Sequence, residues 1–330
     1  MEINRKISVA PMMDCTDRHE RYFLRLLSKN VMLYTEMVAT KSAIFGDRKK
    51  ILGFNRFEKP LALQVGGSDK NDLSEVCKIA EEMGYDEINI NLGCPSKKVQ
   101  KNKFGACLIK EPDLVADCIN KMISSCKIPV TAKTRIGFDD VENYEYLNNF
   151  INKISSAGCK TVILHARKAI LKGLTPKENL KIPKLNYPLV YEIKKANENL
   201  EIIINGGITK TNQIKEHLTK CDGVMIGRAI YQNPYFLAEI ENKIFNNPNV
   251  PSRTELAEKL VEYVKEEAKK GTRVNQIMRH TVGLYHGQSG ANKWKRYLSE
   301  NMMARDSDFK KVDHIMKIAQ NNEKSNQITS

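Results

Sequence analysis

Eight short runs rich in β-branched and apolar residues recur along the chain, at 7–13, 33–38, 61–67, 87–95, 130–137, 161–167, 202–208 and 223–229. Runs that stay apolar instead of alternating strictly suit strands buried on both faces of a parallel sheet. Between most of them lie segments with helical spacing. In "NDLSEVCKIAEEMGYD", Leu73, Val76, Ile79, Ala80 and Met83 share one face, and Gly84 supplies the stop. "PDLVADCINKMISSCK" follows the same plan, with Pro112 near its start and Leu114, Val115, Cys118, Ile119 and Met122 as apolar positions. Eight alternations exceed the five or six strands usual in an open doubly wound sheet, so the expected class is α/β, a (β/α)8 TIM barrel.

The pattern changes after residue 243. The Asn/Pro-rich stretch 246–251 reads as a linker, and no strand follows it. "TELAEKLVEYVKEEAKKG" predicts a helix capped by Thr254 and ended by Gly271, with Leu256, Leu260, Val261 and Val264 on one face. Further helical spacing runs through 273–286, 290–303 and 308–320. The expected organisation is a barrel over 1–243 and a small all-helical domain over 250–330.

A chain of 330 residues is long enough for one large core and a smaller appendage. No stretch approaches the ~18 unbroken apolar residues of a membrane span. The start "MEINRKISVAPMMD" has no long apolar run before Pro11, so the cytoplasm is expected. The eight cysteines include no C-x-x-C pair and no histidine at ligand spacing, which argues against a metal site or a disulfide framework. Lysines and arginines (53) outnumber acids (39), a net charge of +14. Such a surplus fits either a polyanionic partner or a lysine-rich composition with no such partner.

In this fold the active site lies at the C-terminal ends of the strands, so polar residues there carry the functional signal. Those ends hold Met12, Met13 and Asp14; Glu36; Gln64 and Gly66; Asn91 and Cys94; Lys133 and Arg135; His165 and Arg167; Asn205, Gly206 and Gly207; and Gly227 and Arg228. The glycines in "INGGI" and "MIGRA" end the seventh and eighth strands, where backbone N–H groups of such barrels hold a phosphate. Ordinary turns would use glycine too, but Arg228 beside Gly227 favours the anion. Lys133, inside an apolar strand, must meet a negative partner or lose its proton. Either a Schiff-base enzyme or a flavin enzyme would use such a lysine. His165 suits a satisfied core position as well as a functional one.

Taken together, "APMMDCTDRHERYFLRLL", "LYTEMV", "LALQVGG", "NINLGCPSKKVQKNKFGACL", "AKTRIGFDD", "HARKAILKGLTPKENLKIPKLNY", "INGGI" and "GVMIGRAIYQNPYF" resemble the tRNA-dihydrouridine synthase family, most closely its A-type. The resemblance covers residues 7–298 and rests on long, ordered motifs. It implies FMN as cofactor, NADPH as reductant, and reduction of the uracil C5–C6 bond in the D-loop of tRNA, at positions 20 and 20a. It further implies that Pro11, Met12, Met13, Gln64, Lys133 and His165 meet the flavin. Asn205, Gly206, Gly207, Gly227 and Arg228 would hold its phosphate, and Asn91 would orient the uridine. Cys94 would be the general acid: hydride reaches C6 from flavin N5, and the thiol protonates C5 from the opposite face.

Basic residues then gain an address. Lys97, Lys98, Lys101 and Lys103 follow the catalytic loop, and Lys168, Lys172, Lys177, Lys181 and Lys184 follow the sixth strand; a solvated face is the plainer reading, RNA backbone the favoured one. The resemblance extends tRNA contact to Arg135, Lys177, Leu180, Arg279, His280, Lys293 and Arg296, while Trp294 and Leu298 are expected to pack inward. Three positions depart from the family pattern: Cys15 replaces an aromatic, Leu180 an arginine, and Asn292 the arginine of "GAR". Two competing expectations are a dihydroorotate- or dihydropyrimidine-type reductase on the same barrel, and an RNA-binding barrel without catalysis. A monomer is expected.

Overall fold

The computed structural model describes residues 3–302 and Ile318. They group into two compact units, one of the residues up to Met13 with Val31–Ile226, the other of Asp14–Asn30 with the described residues from Gly227 onward. Packing thus assigns 14–30 and 227–243 to the second unit, where the sequence reading expects a contiguous division at 243–250.

The first unit is built on β1 (Ile7–Val9), β2 (Leu33–Tyr34), β3 (Val38–Ala39), β4 (Leu61–Gly66), β5 (Glu87–Leu92), β6 (Val130–Arg135), β7 (Thr161–His165), β8 (Glu201–Asn205) and β9 (Gly223–Ile226). They pair in the order β1-β9-β8-β7-β6-β5-β4-β2, and every pair is parallel. β3 also pairs with β4, so the run expected at 33–38 is one stave in two pieces. The two ends of the path meet through Val9 N–H donating to Met32 O (2.9 Å) and Met32 N–H donating to Ile7 O (3.0 Å). The result is the expected (β/α)8 barrel.

Helices fill the outer ring for the reasons the spacing gives. Lys70–Met83 starts at Asp69, whose carboxylate accepts from the N–H of Asn71 and Asp72, and stops at Gly84 in the left-handed region at φ 82°. It buries Leu73, Val76, Ile79 and Ala80, and a fully buried side chain such as Leu73 is worth ~1.5–3 kcal/mol. Pro112–Ile123 begins at its proline, where the missing N–H costs nothing.

Register sets which side chains stand together at the strand ends. Asn91 lies opposite Lys133, Arg135 opposite His165, and His165 opposite Asn205. Inside the barrel, Ala10, Met32, Tyr34, Ala62, Ile163, Ile203 and Met225 form an apolar cluster.

The second unit is helical in its described residues, including Arg18–Leu27, Phe236–Phe245, Arg253–Lys269 and Ala291–Asn301. Arg253–Lys269 is capped by Ser252, not by Thr254, because Ser252 and Glu255 form a reciprocal capping box. The helix expected at 273–286 is shorter: Val274–Met278 tightens into a 3-10 turn at Arg279–Thr281. Trp294 and Leu298 are fully buried, and the indole N–H of Trp294 donates to Thr281 O at 2.8 Å. The helix expected at 308–320 lies outside the described residues, apart from Ile318.

Candidate active site

Cys94 sits two residues beyond β5, half-buried, in a loop tied down at both of its backbone ends. The side-chain carbonyl of Asn91 accepts from the N–H of Gly93 at 3.1 Å and of Cys94 at 2.9 Å. The Cys94 carbonyl accepts from Ala106 N–H at 2.9 Å. Gly105 makes that approach possible: its φ is +76°, and an added Cβ would stand 2.6 Å from Cys94 O.

Asn91 is itself held from below. Its amide donates to Gln64 Oε1 (2.9 Å), Gln64 Nε2 donates to Asn89 Oδ1 (2.8 Å), and Asn89 Nδ2 donates to Thr131 Oγ1 (2.8 Å). The Thr131 hydroxyl donates to Glu87 (2.6 Å), which also receives Tyr34 OH (2.8 Å) and Arg5 Nε (2.7 Å). A continuous polar column therefore runs from the floor of the barrel to the cysteine. Buried polar groups are tolerated there because each finds a partner. Glu87, Asn89, Thr131 and Gln64 as a unit were not foreseen as a support. The signal was present in "EININL", whose polar residues recur at every second position and so share the inward face.

The guanidinium of Arg135 is 3% exposed and clamps three backbone carbonyls: Gly93 O (2.9 Å), Lys168 O (2.9 Å) and Asn179 O (3.2 Å). It fastens the Cys94 loop to the loop after β7. Gln100 does the same from the other side, donating to Pro95 O (2.8 Å) and Leu171 O (3.0 Å). Asn179, fully buried, knots that second loop by exchanging hydrogen bonds with Ile170. Neither Gln100 nor Asn179 stood out in the sequence, because their side chains bond backbone groups, Gln100 across distant segments and Asn179 within its own loop.

Lys133 Nζ donates to Asn205 Oδ1 at 3.2 Å, and Asn205 Nδ2 donates to Met225 O at 2.8 Å. Lys133 keeps some accessible surface, yet the packing around it is dense. Desolvation, then Arg135, lowers its pKa to about 7, against a smaller opposing effect of Cys94. Desolvation also lowers Arg135 to about 10. Arg135, together with Lys133 when it holds its proton, bonds to neutral carbonyls, so among the described residues positive charge stands there with no carboxylate bonded to it. A group that gathers negative charge fits there, as the pyrimidine edge of a reduced flavin does.

Gly206 and Gly207 follow β8 with φ of +122° and +71°. A Cβ on Gly206 would stand 2.8 Å from the His165 ring, and one on Gly207 would stand 2.5 Å from Leu185. Both positions favour glycine for their dihedrals, Gly206 also for space against the His165 ring, and a glycine turn of this kind suits an anion. His165 is 8% exposed and packs on Gly206. Pro11 and Met12 are half-buried, while Met13 is exposed.

A family model described as "Dihydrouridine synthase (Dus)" matches residues 8–322. The chain is 50% identical to a tRNA-dihydrouridine(20/20a) synthase of Synechocystis sp. over 298 residues, 90% of this chain and 89% of that one. It is 50% identical to one of Shewanella oneidensis over 300 residues (91% and 89%), and 48% identical to one of Escherichia coli over 315 residues (95% and 91%).

The chain belongs to the dihydrouridine synthase family. Its members are flavin-dependent oxidoreductases that act on uridine in tRNA, and this dihydrouridine synthase carries the family's barrel and C-terminal helices. Lys97, Lys98, Lys101 and Lys103 are exposed beside the Cys94 loop, as are Lys172, Lys177, Lys181 and Lys184 after β7; Leu180 ends a 3-10 turn among them. Lys168 is instead half-buried, 3.7 Å from Glu142.

In the second unit Lys293 and Arg296 are exposed, Arg296 pairing with Glu300 at 2.8 Å. Gly227 caps the helix Arg228–Gln232, with Arg228 exposed. His280 is 1% exposed, with Nε2 3.0 Å from Asp17, so the structure places it as a buried partner of that carboxylate. Arg279 also donates to Asp17, at 2.6 Å. Burial pushes Asp17 up, but the bonds from His280, Glu20 N–H and Arg279 outweigh it and hold the carboxyl well below its usual range. Among the described residues, no three His, Cys, Asp or Glu side chains gather as for a metal ion, and no helix is long and apolar enough to cross a membrane.

Proposed function

We propose that this dihydrouridine synthase reduces the C5–C6 bond of a D-loop uridine, at positions 20 and 20a, with FMN bound in the barrel mouth and NADPH as reductant. The observation that carries the reading is the pinning of the Cys94 backbone by Asn91, with the poorly solvated Lys133 and the buried Arg135 on the neighbouring strand. A bound reduced flavin supplies a hydride for C6 of the uracil. Cys94 Sγ–H gives its proton at C5, on the other face of the ring. The backbone bonds to Asn91 and Ala106 fix where that thiol stands, which matters because proton transfer requires hydrogen-bond reach.

Lys133 and Arg135 stabilise negative charge that grows on the flavin or the uracil, and their poor solvation strengthens the effect. Gly206 and Gly207 would hold the cofactor phosphate, and His165 and Gln64 would hold its ring system. For Pro11, Met12, Met13, Gly227 and Arg228 the assignment rests on the family resemblance. The exposed lysines, with Arg279, Lys293 and Arg296, neutralise tRNA phosphates. Leu180, where the family has an arginine, gives one contact fewer. A loop nucleotide leaves its stack at low cost, so the barrel mouth can receive a single base.

The test is incubation of the flavin-loaded protein with NADPH and either unmodified tRNA or free uracil. Dihydrouridine at positions 20 and 20a, with the free base untouched, is expected. Turnover of free base without tRNA turnover would make the protein a small-molecule reductase instead.

A further inference from the structure

The short helix Lys97–Lys101, just beyond Cys94, turns two different faces outward and inward. Lys97, Lys98 and Lys101 are exposed, while Val99 is buried and Gln100 half-buried. Ser96 closes the start of the helix: its hydroxyl accepts from Val99 N–H at 3.3 Å, and its carbonyl accepts from Gln100 N–H at 2.9 Å. The Gln100 side chain is thereby set between two loops, where its amide donates to Pro95 O at 2.8 Å and to Leu171 O at 3.0 Å. Both partners can only accept, so both N–H groups of the amide are spent on them.

This tie has a counterpart across Cys94. Arg135 bonds Gly93 O on one side and Lys168 O and Asn179 O on the other. The residue before Cys94 and the residue after it are thus each joined, through one side chain, to the same loop after β7. That loop also carries exposed lysines, and Lys172 directly follows the Leu171 that Gln100 bonds.

We propose that Gln100 is a positioning residue for uridine reduction. It fixes the offset between the lysines that grip tRNA phosphates and the thiol that meets the base, which rests on the roles given above to those lysines and to Cys94. Proton transfer requires hydrogen-bond reach, so an offset wrong by about 1 Å costs turnover. Attraction between lysines and phosphates tolerates the same shift, because it acts over a longer range. Loss of the tie should therefore fall on kcat and spare KM.

The experiment compares the flavin-loaded full-length protein with Gln100→Glu and Gln100→Leu near pH 8. Glutamate keeps the shape and sets acceptors against both carbonyls; leucine keeps the approximate size and offers no donor. In both variants kcat on unmodified tRNA should fall about 10- to 100-fold, with KM within about twofold of the unsubstituted protein. A second readout needs no turnover: iodoacetamide labelling of Cys94, mapped by mass spectrometry against the half-buried Cys126, which precedes β6 at the opposite end of the barrel. Freeing the loop should speed Cys94 labelling several-fold and leave Cys126 unchanged. Wild-type kcat in the glutamate variant, a loss confined to KM, or equal changes at both thiols would overturn the positioning role. An unsubstituted protein that leaves tRNA unreduced would overturn the functional reading alone, since the labelling ratio still decides the tie.

Discussion

The side-chain carbonyl of Asn91 accepts the backbone N–H of Cys94 at 2.9 Å. One amide oxygen three residues back thus orients the peptide that carries the reactive thiol, and the amide nitrogen of the same side chain is anchored on Gln64 at 2.9 Å.

Asn91→Leu keeps the size of the side chain and removes both ends of that anchor. Gly93 N–H, Cys94 N–H and Gln64 Oε1 lose their partner together, so stability should fall by ~1–3 kcal/mol or more. Urea unfolding measures this, and dihydrouridine formation should fall with it. An unchanged urea midpoint would mean that the loop is held without Asn91.

Cys94→Ala removes the proposed proton donor and little else. Flavin absorbance near ~450 nm and tRNA binding should persist. Product formation should drop by about 10²–10⁴-fold, the usual worth of a positioned acid. Wild-type turnover in this variant would assign the proton to another group.

Lys133 imposes a pH dependence on the flavin-free protein. Its pKa is about 7 folded, against 10.5 for the unperturbed group, so between those values the unfolded chain binds the extra proton. Stability contributed by this site therefore rises as pH climbs through that window. The penalty is fully present below about 7 and gone above 10.5. Lys133→Met removes the titration: the gap between variant and wild-type Tm should narrow from pH 7 to pH 10 in the absence of cofactor, and a constant gap would refute the assignment.

Asp17 acts in the opposite sense. Its folded pKa is depressed, so it contributes stability above the ordinary carboxylate range, and that contribution is lost as pH falls through the folded value. Asp17→Asn keeps a good helix cap but weakens the bonds to Arg279 and His280. A loss of ~1–3 kcal/mol near neutral pH is expected, shrinking below about pH 4. Chemical denaturation across that range checks both the size and the direction.

The barrel was legible because hydrophobic run length and helical spacing are local properties, visible in stretches such as 70–84 and 87–92. Cys94, Lys133 and the Gly206–Gly207 turn could be picked out as candidates because strand ends are where this fold carries its site. The roles of Gln100 and Arg135 were not, since each bonds a carbonyl far away in sequence, Leu171 and Gly93; Asn179 knots its own loop through Ile170, a backbone role that no motif marks. The surroundings of His280 were hidden for a related reason. The basic neighbour in sequence is Arg279, and the carboxylate that His280 bonds belongs to Asp17, 263 positions away. Ser252 displaced Thr254 as a cap through a choice two residues wide, which propensity alone does not resolve.

The polar column below Cys94 has a consequence for inheritance. Glu87, Thr131, Asn89, Gln64 and Asn91 each spend a donor or an acceptor on the next. Exchanging any single member for an apolar residue strands its neighbours, while exchanging several together can restore the count. Variation at these five positions should therefore arrive in concert, and a chain that acquires one change alone has lost its route to neutrality.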